Sequence, residues 1–269
     1  MLDKLEVELK NRGFSSKTIE SYLFHNQEFL KFTNKKPEEI NELDIKNYLN
    51  HLNQEKNYKP RSINLAFSSL KFLYYNLLNK KIVGTIKIPK PDRKEQLILE
   101  KDEIKNLIKS IDNQKHRLLI NLMLTSGLRV SEAVSLKIED LNLENKTIKI
   151  RSIKQNRERL TILSDKVLQD LKDYLAQRKD SNPYLFSVRD SHVTIKLPQK
   201  VIKMANKKSN LDKSVSCHTL RSTFVKTLFK SGIDLSTIQE LTGNNSFNNI
   251  YSPAYIEKIK KIKNPFDDL

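Results

Sequence analysis

Four stretches of the chain carry side chains suited to work on a phosphate. In Ser216-Cys217-His218-Thr219-Leu220-Arg221-Ser222-Thr223-Phe224 an imidazole and a guanidinium stand three residues apart. On a helix that spacing puts both on one face, where they can address a single anion. Upstream, Arg129 lies in Thr125-Ser126-Gly127-Leu128-Arg129-Val130-Ser131-Glu132-Ala133, which reads as a turn leading into a helix. Lys154 opens the polar tract Lys154-Gln155-Asn156-Arg157, and only two tyrosines, Tyr251 and Tyr255, follow the His218–Arg221 pair. A single cysteine, Cys217, rules out an internal disulfide, and five dispersed histidines show no metal-ligand spacing. Chemistry without a metal or a cofactor is therefore expected.

The charge points to the partner. Lys and Arg number 49 against 32 Asp and Glu, a formal charge of +17 spread along the whole chain. Such an excess suits a polyanion, bound through phosphate contacts that release counterions and weaken with salt. No apolar run approaches the roughly 20 residues needed to cross a bilayer, and the first residues lack the apolar core of a signal peptide. The expectation is a soluble, cytoplasmic protein.

The elements that must position these residues can be read from periodicity. Ser15 and Ser16 can cap a helix carrying Ile19, Tyr22, Leu23, Phe29 and Leu30 at helical spacing. A second helix is expected over Leu43 to Leu52. A third starts near Pro60, a residue tolerated at a first helical position, and runs through Leu77. Lys17, Lys59, Arg61 and Ser62 stand at the starts of these helices and are the candidates for groove or phosphate contact with a nucleic acid, each balanced against plain solvation. Residues 84–97 include prolines, a glycine and no helical periodicity, and form the candidate linker. Beyond it, helices are expected over Asp102 to Ile111 and His116 to Leu124. Three short strands follow at Leu141 to Leu143, Thr147 to Ser152 and Arg159 to Leu163, a small antiparallel sheet.

Taken together, the four stretches, with Leu241-Thr242-Gly243 between the His218–Arg221 pair and the two tyrosines, resemble the tyrosine recombinase, or phage integrase, family, in its Xer-like branch. The resemblance spans nearly the whole chain. It implies a mainly α protein with a small antiparallel β-sheet, built from two domains. A helical SAM-like core-binding domain would occupy 1–83, a linker 84–97 and an α+β catalytic domain 98–269. It also implies duplex DNA as substrate and a homotetramer acting on two DNA sites. The tail, Ile256 to Phe266, alternates apolar residues with lysines and reads either as a helix that docks on a neighbouring protomer or as a frayed basic end.

The resemblance assigns roles residue by residue. Arg129 and Arg221 match the two catalytic arginines, Lys154 the catalytic lysine and His218 the histidine, while Tyr251, in Ile250-Tyr251-Ser252, is the nucleophile with Tyr255 as the alternative. The sequence departs from the family in three places. Ile153 and Gln155 stand where glycines usually flank the lysine, Asn244 replaces a histidine or tryptophan, and Tyr251 follows Asn244 by seven residues, closer than is usual. Asparagine donates a hydrogen bond but carries no proton-transfer chemistry near neutral pH. Two other readings stay open: an integrase-fold DNA-binding protein with impaired catalysis, and a type IB topoisomerase using the same arginine and tyrosine chemistry.

Overall fold

The structure, a computed structural model, describes residues 1–83, 86, 96–152, 157–243 and 253–268. The chain divides into two compact units, Met1–Lys94 and Glu95–Leu269.

The first unit is all helical among its described residues. Helices α1 (Leu2–Asn11), α2 (Ser16–Thr33), α3 (Glu42–Gln54) and α4 (Pro60–Lys71) enclose one apolar core. Their starts follow from local chemistry. Ser15 accepts a hydrogen bond from the Thr18 amide at 3.3 Å, while Asn41 and Asp44 cap each other's backbone N–H groups at 3.1 and 3.0 Å. Pro60 occupies the first position of α4, where no partner for its missing N–H is needed. The helix expected to continue to Leu77 changes character at Phe72, and Phe72–Leu77 form a π-helical turn. Phe72, Leu73 and Tyr74 are all buried there. Three consecutive residues of an α-helix would instead spread over more than half its circumference.

The second unit is organised around a helix that is apolar nearly all round. Helix α6 (Gln114–Thr125) buries Leu118, Leu119, Ile120, Leu122, Met123 and Leu124, and this complete burial marks it as the central element. Around it pack α8 (Asp165–Ala176), α9 (Lys196–Lys208) and α10 (Cys217–Lys230), with α5 (Lys101–Lys109) beside α6 and α9. A three-stranded antiparallel sheet of β1 (Leu141–Asn142), β2 (Thr147–Ser152) and β3 (Arg157–Ile162) pairs Leu141 with Ile148 and Ile150 with Arg159. The short helix α7 (Val130–Val134) meets β2, while α11 (Leu235–Thr242) and α12 (Pro253–Lys260) lie against β3. A hairpin absent from the sequence expectation, β4 (Ser187–Val188) with β5 (Ser191–His192), turns at Arg189 with φ +51°.

The tail packs into its own unit. Ile259, Asn264 and Phe266 are at most 3 % exposed, packed into the core of their own unit. Asn264 Nδ2 donates to the Thr125 carbonyl at 2.9 Å, and the Asp165 amide, at the start of α8, donates to Asp267 Oδ1 at 2.7 Å. The apolar residues that suggested an external docking face are satisfied within the chain itself.

Candidate active site

The segment between α6 and α7 depends on one glycine. Gly127 has φ +62°, and a Cβ placed on it would lie 2.3 Å from Cδ1 of Phe224 on α10. Only glycine allows α10 to approach this closely, and the approach delivers Arg221. Its Nη1 donates to the Gly127 carbonyl at 2.6 Å, and its Nη2 donates to the Thr242 carbonyl at the end of α11. Gly127→Ala should therefore cost about 3 kcal/mol, adding backbone strain to overpacking. Urea denaturation of the two proteins would measure the difference.

Helix α11 ends in a left-handed turn at Gly243, φ +68°, where a Cβ would meet Arg159 Cδ at 3.0 Å. Its last carbonyls, which have no partners within the helix, receive cations from two other elements. Arg159 Nε donates to the Leu241 carbonyl at 2.9 Å, beside the Arg221 bond to Thr242. The negative end of the helix dipole favours both.

Arg159 projects from the buried side of β3 and is only 7 % exposed. A charge in that position needs a partner, and Glu132 on α7 supplies one in fork geometry, with Nη1–Oε1 and Nη2–Oε2 both 2.7 Å. The same carboxylate accepts the Arg129 amide at 2.7 Å and Arg129 Nη1 at 2.9 Å, and lies 4.0 Å from Arg221 Nη1. Three guanidiniums thus surround one carboxylate, a local surplus of two positive charges. Burial alone would raise the Glu132 pKa. The Arg159 hydrogen bonds and charge, joined by the Arg129 amide and guanidinium, outweigh it and hold the carboxyl at about 2. Arg221 is pushed the other way: burial first, then repulsion from Arg129 and Arg159, lowers it to about 10, against the pull of Glu132. It stays charged at neutral pH, in a setting that an arriving anion would relieve.

A carboxyl whose pKa is depressed on folding contributes stability above its unfolded pKa and loses it as pH falls through the folded one. For Glu132 that window runs from about 4.5 down to about 2. The wild type should exceed Glu132→Gln by on the order of 3 kcal/mol at pH 7, with the gap closing across this window. Denaturation curves of both proteins at a series of pH values would test this.

Of the residues expected to form the site, the structure brings Arg129 and Arg221 to the same carboxylate. His218 is exposed in the first turn of α10, behind the Ser216 cap, and among the described residues no hydrogen bond or ion pair joins it to the arginines. Lys154, Asn244 and Tyr251 lie outside the described residues. Tyr255 is 6 % exposed in the core, and its phenol is pushed up to about 12 by burial and the Glu240 charge, with Arg159 opposing. Cys217, next to His218, has its thiol raised to about 11 by burial. In the first unit, Lys17 is exposed in the first turn of α2, Lys59 and Arg61 are exposed at the start of α4, and Ser62 is half-buried. A hydrogen bond from Asn26 to the Ser69 carbonyl joins α2 to α4, and no described hydrogen bond or ion pair joins Lys17 to the Lys59–Ser62 group. Sequence reasoning missed Glu132 and Arg159 as members of the site. The inward facing of Arg159, directly opposite Ile150, emerges only from the pairing of β2 with β3.

A small sheet braced by helices gathers three guanidiniums around one carboxylate at a helix end, an arrangement suited to a phosphodiester. Residues 98–258 match the phage integrase family, and residues 1–83 match the phage integrase N-terminal SAM-like domain. The chain belongs to the phage integrase family, and its activity is that of a tyrosine recombinase, site-specific cleavage and rejoining of DNA. It is 32% identical over 272 residues to the tyrosine recombinase XerA of Pyrococcus furiosus, covering 97% of this chain and 92% of the relative. Two solved structures share the fold. One is the XerH site-specific recombinase bound to a palindromic difH substrate in a post-cleavage complex, with TM-score 0.73, 23% identity and coverage of 97% and 82% of the two chains. The other is a lambda integrase tetramer bound to a Holliday junction, with TM-score 0.73, 20% identity and coverage of 94% and 78%. No helix among the described residues is long and apolar enough to cross a membrane.

Proposed function

We propose that the chain recombines duplex DNA through a 3′-phosphotyrosyl intermediate formed on Tyr251, with the scissile phosphate held by Arg129 and Arg221. The observation that carries this reading is the convergence of both guanidiniums on Glu132, with positive charge to spare. Attack on a phosphodiester builds negative charge on the nonbridging oxygens, and fixed guanidiniums oppose it through several donors without reorganising. The Tyr251 oxygen gives up its phenolic proton to solvent as it bonds to phosphorus, the bond from phosphorus to the 5′ oxygen breaks, and Lys154 gives that oxygen its proton. His218 assists proton transfer, and Asn244 contributes a hydrogen bond. A 5′ hydroxyl from a second strand reverses the step, so the link itself conserves the energy and ATP is not required.

Around this centre, residues 1–83 grip the duplex with Lys17, Lys59, Arg61 and Ser62 as contacts, residues 84–97 link the two domains, and residues 98–269 cut. Four copies act on two sites, a reading supported by the tetramer of the lambda integrase that shares this fold. The work takes place in the cytoplasm. Incubation with a nicked duplex, then a denaturing gel and peptide mapping, tests the assignment, and the DNA-linked peptide should contain Tyr251.

Asn244 favours a second reading, a protein that keeps the fold and binds DNA but has lost cleavage. Duplex binding without any covalent species in the same experiment would select it.

A further inference from the structure

The tail packs against the helix that carries Arg221 and against the segment that precedes Arg129. Phe266, 1 % exposed, stacks on Phe224 with ring centroids 6.1 Å apart and planes 13° apart. Phe224 sits one turn beyond Arg221 on α10, and its ring lies against Gly127, whose carbonyl holds Arg221. Asn264, 3 % exposed, works on the same segment from its other end. Its Nδ2 donates to the carbonyl of Thr125, two residues before Gly127, while its Oδ1 accepts the Phe266 amide at 3.1 Å and sets the turn of the tail. From these contacts we infer that Asn264 and Phe266 are positioning residues for Arg129 and Arg221, an inference that rests on the arginine clamp proposed above.

The physical basis is close packing. A core ring cannot be removed without its neighbours shifting into the space, because interiors are packed at crystal-like density. With Phe266 gone, the Phe224 ring loses its outer support and Gly127 loses the surface that fixes its approach. The movement falls on the carbonyl that holds Arg221 and on the turn that carries Arg129. Cleavage is sensitive to such movement, since a small displacement of a preorganised group costs rate far from the mutated atom. Duplex binding, spread over many cations, is not.

The test uses full-length Phe266→Ala, Phe266→Leu and Asn264→Ala, with a nicked duplex recovered by binding selection from a randomised library. Rates are taken well below each protein's unfolding temperature. At saturating DNA, Phe266→Ala and Asn264→Ala should form the covalent adduct about tenfold more slowly. Phe266→Leu should recover most of the loss, while half-saturation stays within about twofold. Loss of thermal stability with an unchanged rate at saturation would overturn the inference, as would equal losses in rate and affinity. Should Phe266→Ala fail to fold, the other two variants carry the comparison.

A second readout needs no DNA: hydrogen exchange at the Arg221 Nε–H by NMR, with Arg178, bonded to Asp180 at 3.1 Å, as internal control. Exchange at Arg221 should quicken in Phe266→Ala and not at Arg178, and unchanged exchange counts against the positioning role. Absence of any adduct from the wild type would remove the recombinase reading. The exchange result would then decide alone whether the tail holds the arginine.

Discussion

Tyr251→Phe is expected to abolish the covalent protein–DNA species and to leave duplex affinity within about twofold of the wild type. The phenol oxygen is the atom that would bond to phosphorus, and phenylalanine keeps the ring while deleting that atom alone. Binding draws instead on the many cations of a chain carrying a formal charge of +17. Tyr255→Phe is expected to leave the adduct in place. The Tyr255 ring belongs to the core, and burial raises its phenol to about 12, so forming its phenolate costs more than for an exposed tyrosine. A denaturing gel of the two variants on one nicked duplex separates the assignments, and an adduct lost in Tyr255→Phe but kept in Tyr251→Phe would move the nucleophile.

Arg221→Ala is expected to slow adduct formation at saturating DNA by about 10²–10³-fold, with a far smaller loss of affinity. Two features support so large an effect. The guanidinium is nearly buried, so its field is poorly screened, and two backbone carbonyls fix its orientation before any substrate arrives. Arg221→Lys keeps the charge but not the fork. An ammonium cannot satisfy both carbonyls and still present a flat face of donors, so most of the loss should remain. If rate and affinity fell equally, Arg221 would be a phosphate anchor and no more. Single-turnover rates over a range of DNA concentrations give both quantities.

How much of this was legible in the sequence varied with the range of the interactions involved. Thr147 to Ser152 announced itself as a strand through its branched residues, and Ser15 and Pro60 mark helix starts by chemistry confined to one turn. The paired arginines were legible as motifs. The frame that holds them was not, because Arg159 meets Glu132 across 27 positions and the Leu241 carbonyl across 82. In Arg157-Glu158-Arg159-Leu160-Thr161-Ile162 either alternate set could face inward, and charge argued for turning Arg159 outward. Tertiary pairing with Glu132 reversed that preference. The π-helical turn at Phe72–Leu77 hid for a similar reason: its local pattern suits an α-helix, and the departure accompanies the burial of three successive residues. The tail looked amphipathic enough to seek an outside partner, and nothing local showed that its own core would accept it.

Arg221 is held at Thr242 by a main-chain oxygen, a group that every amino acid carries. Substitution at 242 changes the side chain and leaves that acceptor where it was, provided α11 still stops at the next residue. For the Arg221 contact the demand is for a chain path, while packing and the Thr242 hydroxyl bond to the Ile238 carbonyl set the residue type. A seat of this kind can outlast extensive drift, which suits a protein sharing only 32% of its residues with a relative that it matches almost from end to end.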